Sequence, residues 1–496
     1  MKGSAKLITA LVITGAIAIW GIIAPEALTA FAKKLVAIQF TSRAWFIMLT
    51  VSFMLIVCAW LAFGRHAHVK LGQDEDEPEF STISWLTMLF AAGMGVGLLY
   101  YGTAEPLTHY QAIYGQGETK LAADHALFIT NFHWGLHAWA IYALTGLVIA
   151  YFGFRLGQPT LVGTPVVYVF GVNPLTSGVA WVCDLFAIVA IAIGLGGSVA
   201  MGVFQVKEGV DVLFDLESSG LGLAMVIFAI LVAAYILPLT VDLSRGMSLL
   251  SNTAMVIAVS LMVFILVFGP THYLMGGIVQ SIGEYMAGVI PHGFRTYTFM
   301  DARVGDWFQA WTLNYMVWWL AWAPFVGVFI ARISKGRTIR EFIFGVILVP
   351  TAFSICWFGI FGGIGFYGVL QEHSGILEIV SNNVSGVTFF VLDQFPFSKL
   401  TTAAVVIAAF LFLITSVVSA AFVLGMLSTG GDLNPSVRVK LSWGFVLGAL
   451  GLVMILSGSI NAVRSIIALG ALPFVFIVLL LVVCFLKALK KEGDTP

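Results

Sequence analysis

Long apolar stretches recur along the whole chain, and they constrain its fold more than any motif does. A helix needs about 20 apolar residues to cross the hydrocarbon core of a bilayer, and short polar segments separate stretches of that length throughout the 496 residues. The sequence therefore predicts an all-α polytopic membrane protein with twelve transmembrane helices. The twelve stretches lie near residues 7–24, 45–63, 83–103, 125–152, 176–203, 221–239, 248–270, 308–331, 341–366, 399–424, 442–460 and 463–486.

The overall composition supports this class. Hydrophobic residues make up 60% of the chain and charged residues only 10%, which leaves too little polar surface for a soluble domain. A net charge of -1 argues against binding to nucleic acid. We expect contact with membrane lipids instead. The four cysteines lie in apolar stretches without CxxC spacing, which predicts small core residues rather than disulfides or a metal site: Cys58, Cys183, Cys356 and Cys484.

The positive charges of the loops predict the orientation of the chain. The stretch at 7–24 is similar to a signal peptide but lacks a small-residue cleavage site, so we interpret it as a retained first helix. An even number of spans places both termini on one side, and fifteen of the 24 Lys and Arg residues fall on that side. The positive-inside rule then puts both termini in the cytoplasm. The cluster from Arg332 to Arg340 contributes most, and the acidic run from Asp74 to Glu79 is predicted to be a solvated loop on the same side.

The third apolar stretch contains three alternating glycines, Gly93, Gly95 and Gly97. Each glycine costs a helix about 1 kcal/mol relative to alanine, so the pattern predicts backbone that is unwound or closely approached at bilayer depth. Such backbone is tolerated where it lines a cavity, and broken helices form the substrate sites of many secondary transporters. Tight helix packing through small residues is the alternative interpretation.

Aromatic residues concentrate on two other stretches. Trp311, Tyr315, Trp318 and Trp322 share one stripe of the eighth stretch, with Trp319 beside it. The fourth stretch carries Trp134, Trp139 and Tyr142 within a single arc. Large rings often fill core volume, but indole faces are also the best neutral binders of a cation. Two such clusters favour a cage for a quaternary ammonium group.

Three segments of the chain resemble the betaine/choline/carnitine transporter family. They are Ala91 to Gly97 continuing to Pro106, His133-Trp134 with Trp139 and Tyr142, and Trp311 to Phe325 followed by Ala331 to Glu341. The resemblance implies a leucine-transporter-like architecture in which two inverted five-helix repeats are preceded by two extra helices. It also implies a secondary transporter rather than an enzyme, in a bacterial plasma membrane. Family members are often homotrimers.

This architecture divides the chain into four parts. Residues 1–82 would hold the two extra helices and the acidic loop, 83–290 the first repeat (spans 3–7), 291–490 the second repeat (spans 8–12) and 491–496 a cytoplasmic tail.

The resemblance also implies the substrate site. It places Trp134, Trp139, Tyr142 and Trp319 around the substrate ammonium, with Trp318 and Trp322 on the same path. The backbone amides of the stretch around Gly95 and Gly97 would hold a carboxylate. Gly97 occupies a position where an acidic residue accompanies choline specificity in the family, so we expect a zwitterion such as glycine betaine.

A sodium site is expected beside the substrate. Phe412, Thr415 and Ser416 lie at i, i+3 and i+4 on the tenth stretch, so both hydroxyls either bond back to the Phe412 carbonyl or join it as ligands of a hard cation. The resemblance implies the second arrangement, with Na⁺ also bound by the carbonyls of Ala91 and Met94. Sodium would be the coupling ion, and no cofactor is expected.

Some positions depart from the family pattern. Ile191 and Leu195 replace two threonines that hold a second sodium ion in some members, so we predict that this second site is absent. Asn314 and Met316 replace aromatic residues, which leaves the substrate open to a sulfonium compound or another compatible solute. A sodium-independent exchanger of related zwitterions is the other alternative.

Two further sets of polar residues are predicted to be structural. Glu105, before Pro106, is expected to cap or pair locally at the end of the third span, with a role in coupling as an alternative. His133 and His137 have the spacing of a metal pair, but no third ligand lies near them in the sequence. We expect them to pack as buried polar groups.

Overall fold

The computed structural model describes residues 2–93, 95–114, 120–216, 219–240, 244–458 and 460–493, and it is built from helices. Short π-helical turns at Tyr151–Arg155 and Gln309–Leu313 continue α7 and α13, and a 3-10 turn covers Val384–Gly386. The α-helices are α1 Lys2–Ile23, α2 Pro25–Phe63, α3 Thr82–Gly93, α4 Val96–Tyr101, α5 Ala104–Tyr114, α6 Lys120–Trp134, α7 Leu136–Ala150, α8 Thr164–Phe170, α9 Pro174–Leu213, α10 Gly220–Thr240, α11 Ser244–Phe268, α12 Thr271–His292, α13 Ala302–Phe308, α14 Asn314–Arg332, α15 Ile339–Leu370, α16 Ile376–Asn382, α17 Val387–Leu392, α18 Ser398–Ser428, α19 Val437–Leu456, α20 Ile460–Ala471 and α21 Phe474–Gly493.

Within these described residues, eleven helical segments are long and apolar enough to span a membrane. The sequence predicted twelve. The difference is the stretch 83–103, which forms two short helices, α3 and α4, instead of one continuous span. The structure therefore confirms the polytopic all-α class and interrupts the helix at the glycines.

Helix lengths also differ from the sequence prediction. Helix α2 has 39 residues and is about 58 Å long at 1.5 Å per residue, so the predicted span 45–63 is only its second half. Helix α12 occupies residues that the sequence analysis left between two spans. One face of α12 is buried at intervals of three and four residues, a periodicity that the sequence analysis overlooked: Leu274, Ile278, Ser281, Tyr285, Val289 and His292.

The centre of the bundle is formed by α7 against α14 and by α9 against α18. Glycines allow these close approaches. A Cβ atom added to Gly146 on α7 would lie 2.6 Å from the Ile330 side chain on α14, and one added to Gly202 on α9 would lie 2.5 Å from Leu413 on α18. Helices from both predicted repeats therefore meet around one central region.

The acidic and basic loops that were predicted on one side of the membrane lie against each other. Backbone hydrogen bonds pair Leu71 with Gly336 and Arg337, at 2.8 Å each. The Arg337 guanidinium stacks 4.1 Å from the centre of the Trp85 ring and donates to the Phe80 carbonyl at 2.8 Å. Arg337 is thus a buried structural residue, whereas the acidic run from Asp74 to Glu79 is largely exposed, as predicted for a solvated loop.

A second contact ties the same loop to the end of the chain. Arg155 donates to Asp74 at 2.5 Å and to Glu492 at 2.7 Å. The hydrogen bond from Arg155 holds the pKa of Asp74 below its ordinary value. These contacts gather the 64–80 loop, the end of α7 and the end of α21 at one end of the bundle.

Candidate functional site

A narrow cavity with a volume of about 50 Å³ lies at the centre of the bundle. It is lined mostly by apolar and aromatic side chains with few polar groups, as small-ligand sites typically are. Its walls come from α4, α6, α7, α9, α14 and α18. The lining residues are Gly95, Val96, Gly97, Tyr101, Trp134, Tyr142, Leu195, Ser198, Val199, Met201, Tyr315, Trp318, Trp319, Trp322, Leu413, Ser416 and Val417.

The interrupted third stretch forms one wall of this cavity. Helix α3 ends at Gly93 and α4 begins at Val96, and Gly95 between them has an extended conformation with φ -100° and ψ -154°. No side chain caps the start of α4, and the first amides of a helix have no partner within it. The predicted glycine contacts, Gly95 and Gly97, therefore lie at a break in the helix where the backbone reaches the cavity.

A second helix break positions Trp134, whose ring lies close to Gly97 on α4. The chain bends at Gly135 between α6 and α7, and the amide of Leu136 donates to the hydroxyl of Tyr285 at 2.7 Å. A Cβ atom on Gly135 would lie 2.0 Å from that hydroxyl. Only glycine permits this approach, and Tyr285 is a structural residue that the sequence analysis did not identify.

Three of the predicted rings meet edge to face around the cavity. The Trp134 and Trp319 ring centres are 5.2 Å apart at 82°, and those of Tyr142 and Trp319 are 5.3 Å apart at 81°. Trp319 is also fixed through its indole N–H, which donates to the His133 carbonyl at 2.8 Å. Edge-to-face pairs leave ring faces available, which is the geometry that a bound cation requires.

The remaining predicted aromatic residues divide into two groups. Trp318 and Trp322 line the cavity with Trp319. The indole nitrogen of Trp322 has no hydrogen-bond partner among the described residues. Trp139 does not reach the cavity: it is fully buried behind Tyr142, with ring centres 5.5 Å apart.

Trp311 does not line the cavity, and an arginine covers its ring. The guanidinium of Arg464 on α20 lies 3.8 Å from the centre of the Trp311 ring and donates to the Tyr101 hydroxyl at 2.9 Å. Arg464 is only 5% exposed, although the orientation count treated it as a loop charge. Of the four rings in the aromatic stripe, one therefore already contacts a protein cation, and the other three line the cavity.

Glu105 is buried behind the aromatic wall; it forms the predicted local contact, with His109, and also contacts residues that are distant in the sequence. Its Oε1 atom contacts ring nitrogens of His133 at 2.8 Å and His109 at 3.3 Å. Its Oε2 atom accepts from the Trp134 indole at 2.9 Å and from the Tyr315 hydroxyl. Besides the local contact with His109 on α5, the carboxyl group therefore connects α5 to α6 and α14.

Glu105, His109 and His133 hold potential ligand atoms within 4.8 Å of one another. The sequence showed no third ligand near His133, but the fold brings Glu105 and His109 beside it. His137 is not part of the group. Each imidazole nitrogen of the two histidines already has a protein partner, since Trp307 donates to His109 and Thr312 contacts His133. The geometry describes a closed hydrogen-bond network.

The hydroxyl groups of α18 lie on the other side of the cavity. Ser416 lines it, and a Cβ atom placed on Gly95 would lie 4.0 Å from the Ser416 Oγ atom. Thr415 donates to the carbonyls of Leu411 at 3.0 Å and Phe412 at 3.1 Å, which is the back-bonded arrangement. Of the other predicted sodium ligands, Ala91 lies in α3 and Met94 lies outside the described residues.

The positions that depart from the family pattern have distinct surroundings. Leu195 lines the cavity, and Ile191 is buried one turn before it on α9. Asn314 and Met316 are buried but do not line the cavity.

Several lining residues were not predicted. Ser198 follows Leu195 by three residues on the same face of α9, so helical periodicity could have identified it. Tyr101 follows the glycine stretch directly. Met201, Leu413 and Val417 are apolar residues that no sequence signal separates from the other core positions.

A multi-pass helical bundle with a central, ring-lined cavity beside a broken helix defines a membrane transporter. A family model described as "BCCT, betaine/carnitine/choline family transporter" matches residues 6–494. The chain belongs to this family, has its fold, and is a transporter and not an enzyme.

Several curated bacterial transporters resemble it over nearly their whole length. A glycine betaine transporter of Bacillus subtilis (OpuD) is 38% identical over 97% of this chain and 93% of its own length. An osmo-independent choline transporter of Acinetobacter baylyi is 34% identical over 91% and 86%. An ectoine/hydroxyectoine transporter of Virgibacillus pantothenticus is 32% identical over 94% and 92%.

Proposed function

We propose that this protein imports a quaternary-ammonium zwitterion such as glycine betaine, coupled to sodium, across a bacterial inner membrane. The observation that carries the proposal is the cavity itself: Trp134, Tyr142 and Trp319 meet edge to face on one side, and interrupted backbone lies on the other. Relatives whose names include glycine betaine, choline and ectoine support the wider class of compatible solutes.

The two ends of such a zwitterion suit the two sides of the cavity. A trimethylammonium group cannot donate a hydrogen bond, so ring faces and shape must hold it. A carboxylate needs donors, and the backbone amides from Gly95 to the start of α4 are proposed to supply them. Choline lacks the carboxylate and would leave these donors unpaired, which costs affinity.

Sodium is proposed to bind between α18 and the α3 break. The Ser416 Oγ atom lies 4.0 Å from the point that a Cβ atom on Gly95 would occupy, which supports this position. Uncharged oxygen ligands suit a hard cation. Sodium would order the interrupted helix and thereby form the substrate site, so each ligand would raise the affinity of the other by the same factor. The apolar Leu195 in the cavity supports one sodium site of this kind, without the second.

Transport is proposed to follow alternating access between two inverted repeats, spans 3–7 and 8–12, with α3 and α4 together forming the third span. The cavity supports this because helices from both halves line it. Both termini are proposed to be cytoplasmic, and the contact of Arg155 with Asp74 and Glu492 supports placing these regions on one side. A homotrimer remains part of the proposal.

The decisive experiment is uptake of labelled glycine betaine into proteoliposomes that contain no internal substrate. We expect accumulation with an inward sodium gradient and none with an equal potassium gradient. Uptake that requires internal substrate and ignores sodium would replace symport with exchange. Competition by choline, ectoine and a dimethylsulfonium analogue would rank the alternative substrates.

A further inference from the structure

The hydrogen-bond network around Glu105 lies directly behind the cavity, yet the proposed transport cycle gives it no task. Glu105, His109 and His133 are fully buried. Two of the groups bonded to Glu105 are the polar atoms of Trp134 and Tyr315, and both of these rings line the cavity. A charge at Glu105 would therefore act on the substrate through these rings.

The partners of Glu105 define its charge state. An indole N–H only donates, so Trp134 donates to Oε2. Trp307 likewise donates to Nδ1 of His109 at 3.2 Å, which leaves the proton of a neutral His109 on Nε2, facing Oε1 at 3.3 Å. The carboxyl group thus faces donors on both oxygens, which is the environment of an ionised carboxylate because that form only accepts.

A hydrogen bond to an anion polarises its donor. For Trp134 and Tyr315 this polarisation moves electron density into the indole and phenol rings. The attraction between a cation and a ring is electrostatic and grows with the negative charge on the ring face. The Tyr101 hydroxyl is different, because it accepts from the Arg464 cation at 2.9 Å, which withdraws density from that ring.

We propose that Glu105 is a positioning and specificity-determining residue of the substrate site: its carboxylate fixes the Trp134 and Tyr315 rings and strengthens their attraction for a cationic head group without touching the substrate. Arg464 has the opposite effect on Tyr101 and Trp311. The ammonium group is therefore directed to Trp134, Tyr315 and Trp319 and away from Tyr101. This inference rests on the proposed function.

The experiment compares two ligands of the same shape. Glycine betaine carries N⁺ where 3,3-dimethylbutanoate carries an uncharged carbon, and both have the same carboxylate. Binding of each to the purified full-length protein is measured by calorimetry with sodium present. We expect Glu105→Gln to weaken glycine betaine about tenfold, less than the loss of a whole desolvated cation–π contact because the rings remain, and to weaken 3,3-dimethylbutanoate less than about threefold. Equal losses for the two ligands, or no loss, would overturn the proposal.

Two further variants complete the design. Glu378→Gln makes the same change at an exposed position on α16, and we expect it to alter neither affinity. Tyr315→Phe retains Glu105 and the ring but removes one hydrogen bond, and we expect a loss of a few-fold for glycine betaine alone.

If Glu105→Gln does not fold, Tyr315→Phe decides the question, and an unchanged ratio of the two affinities in that variant overturns the role of Glu105. Wild-type protein that binds no glycine betaine would reject the proposed function and this inference with it. If the wild-type protein binds glycine betaine but the variants leave the ratio of the two affinities unchanged, only the inference is rejected.

Discussion

The two sides of the cavity are built in different ways. On the α6, α7 and α14 side, several of the large rings are fixed by hydrogen bonds to buried partners, as Trp134 is to Glu105 and Trp319 to the His133 carbonyl. On the α4, α9 and α18 side, the contacts include glycine backbone and small hydroxyls such as Ser198 and Ser416. One side therefore presents rigid π surface, and the other presents glycine backbone and two hydroxyls among aliphatic side chains.

This difference matches the two tasks of a symporter site. Rigid rings lose little entropy when they bind a cationic head group, so they suit the part of the substrate that is recognised by shape. An interrupted helix is held by fewer backbone hydrogen bonds, so it suits the part that must rearrange when an ion binds. Mutations on the two sides should accordingly separate substrate affinity from ion dependence.

The largest effect is expected on the ring side. Trp319→Leu removes a ring that contacts both Trp134 and Tyr142, and we expect glycine betaine affinity to fall about 30-fold, for a cation–π contact of about 2 kcal/mol. Equilibrium binding by calorimetry measures this. Trp45→Leu, on the exposed face of α2 at 60% exposure, is the matched control. Unchanged binding in Trp319→Leu would show that this ring only fills space.

The second prediction compares substitutions at two glycines of the broken helix. A Cβ atom on Gly97 would lie 3.2 Å from the Trp134 ring, whereas one on Gly95 meets only Ser416 Oγ at 4.0 Å. We expect Gly97→Ala to displace the ring and reduce glycine betaine affinity about fivefold, for a strain of about 1 kcal/mol. Gly95→Ala should stay within about twofold. The reverse order in the same binding assay would contradict the described packing.

A third prediction tests the ion on the hydroxyl side. Ser416→Ala and Thr415→Ala each remove a proposed oxygen ligand of sodium, and we expect both to raise the sodium concentration for half-maximal uptake several-fold. Sodium titrations of uptake in proteoliposomes measure this. Ser442→Ala, where the hydroxyl bonds only to its own helix at Arg438, is the control. Sodium dependence that is unaltered in both variants would reject this site.

The smallest effect is expected far from the cavity, at Asp74. Because the bond from Arg155 lowers the pKa of Asp74, its stabilising contribution is present above the ordinary pKa of an aspartate and is lost as the pH falls through the lowered value. Asp74→Asn should lower the thermal midpoint at neutral pH by about 1 °C, since the pair is exposed. The difference should vanish in acid. A difference that persists there would assign it to packing.

The sequence predicted the residues that line the cavity better than the buried residues that hold them in place. Trp134, Tyr142, Trp318, Trp319 and Trp322 were selected from helical spacing and family resemblance, and the structure places them around one cavity. The same spacing could not separate Trp139 from Tyr142, because an arc of a helix does not reveal which ring faces a void and which faces a neighbouring helix.

Buried charges escaped prediction for a related reason. Glu105 and Arg464 look like residues at the ends of apolar stretches, where a loop charge is expected. Their partners lie far away in the sequence: 28 to 210 residues separate Glu105 from His133, Trp134 and Tyr315, and 363 residues separate Arg464 from Tyr101. No local pattern records such pairings.

By itself the sequence determined the membrane class, nearly all of the spanning segments and the position of the helix break, because these follow from local hydropathy and from the conformational freedom of glycine. The tertiary structure decided which rings line the cavity, which ring Arg464 occupies and how Glu105 is satisfied. Those outcomes depend on which helix faces pack together, and packing selects them through contacts between residues that are distant along the chain.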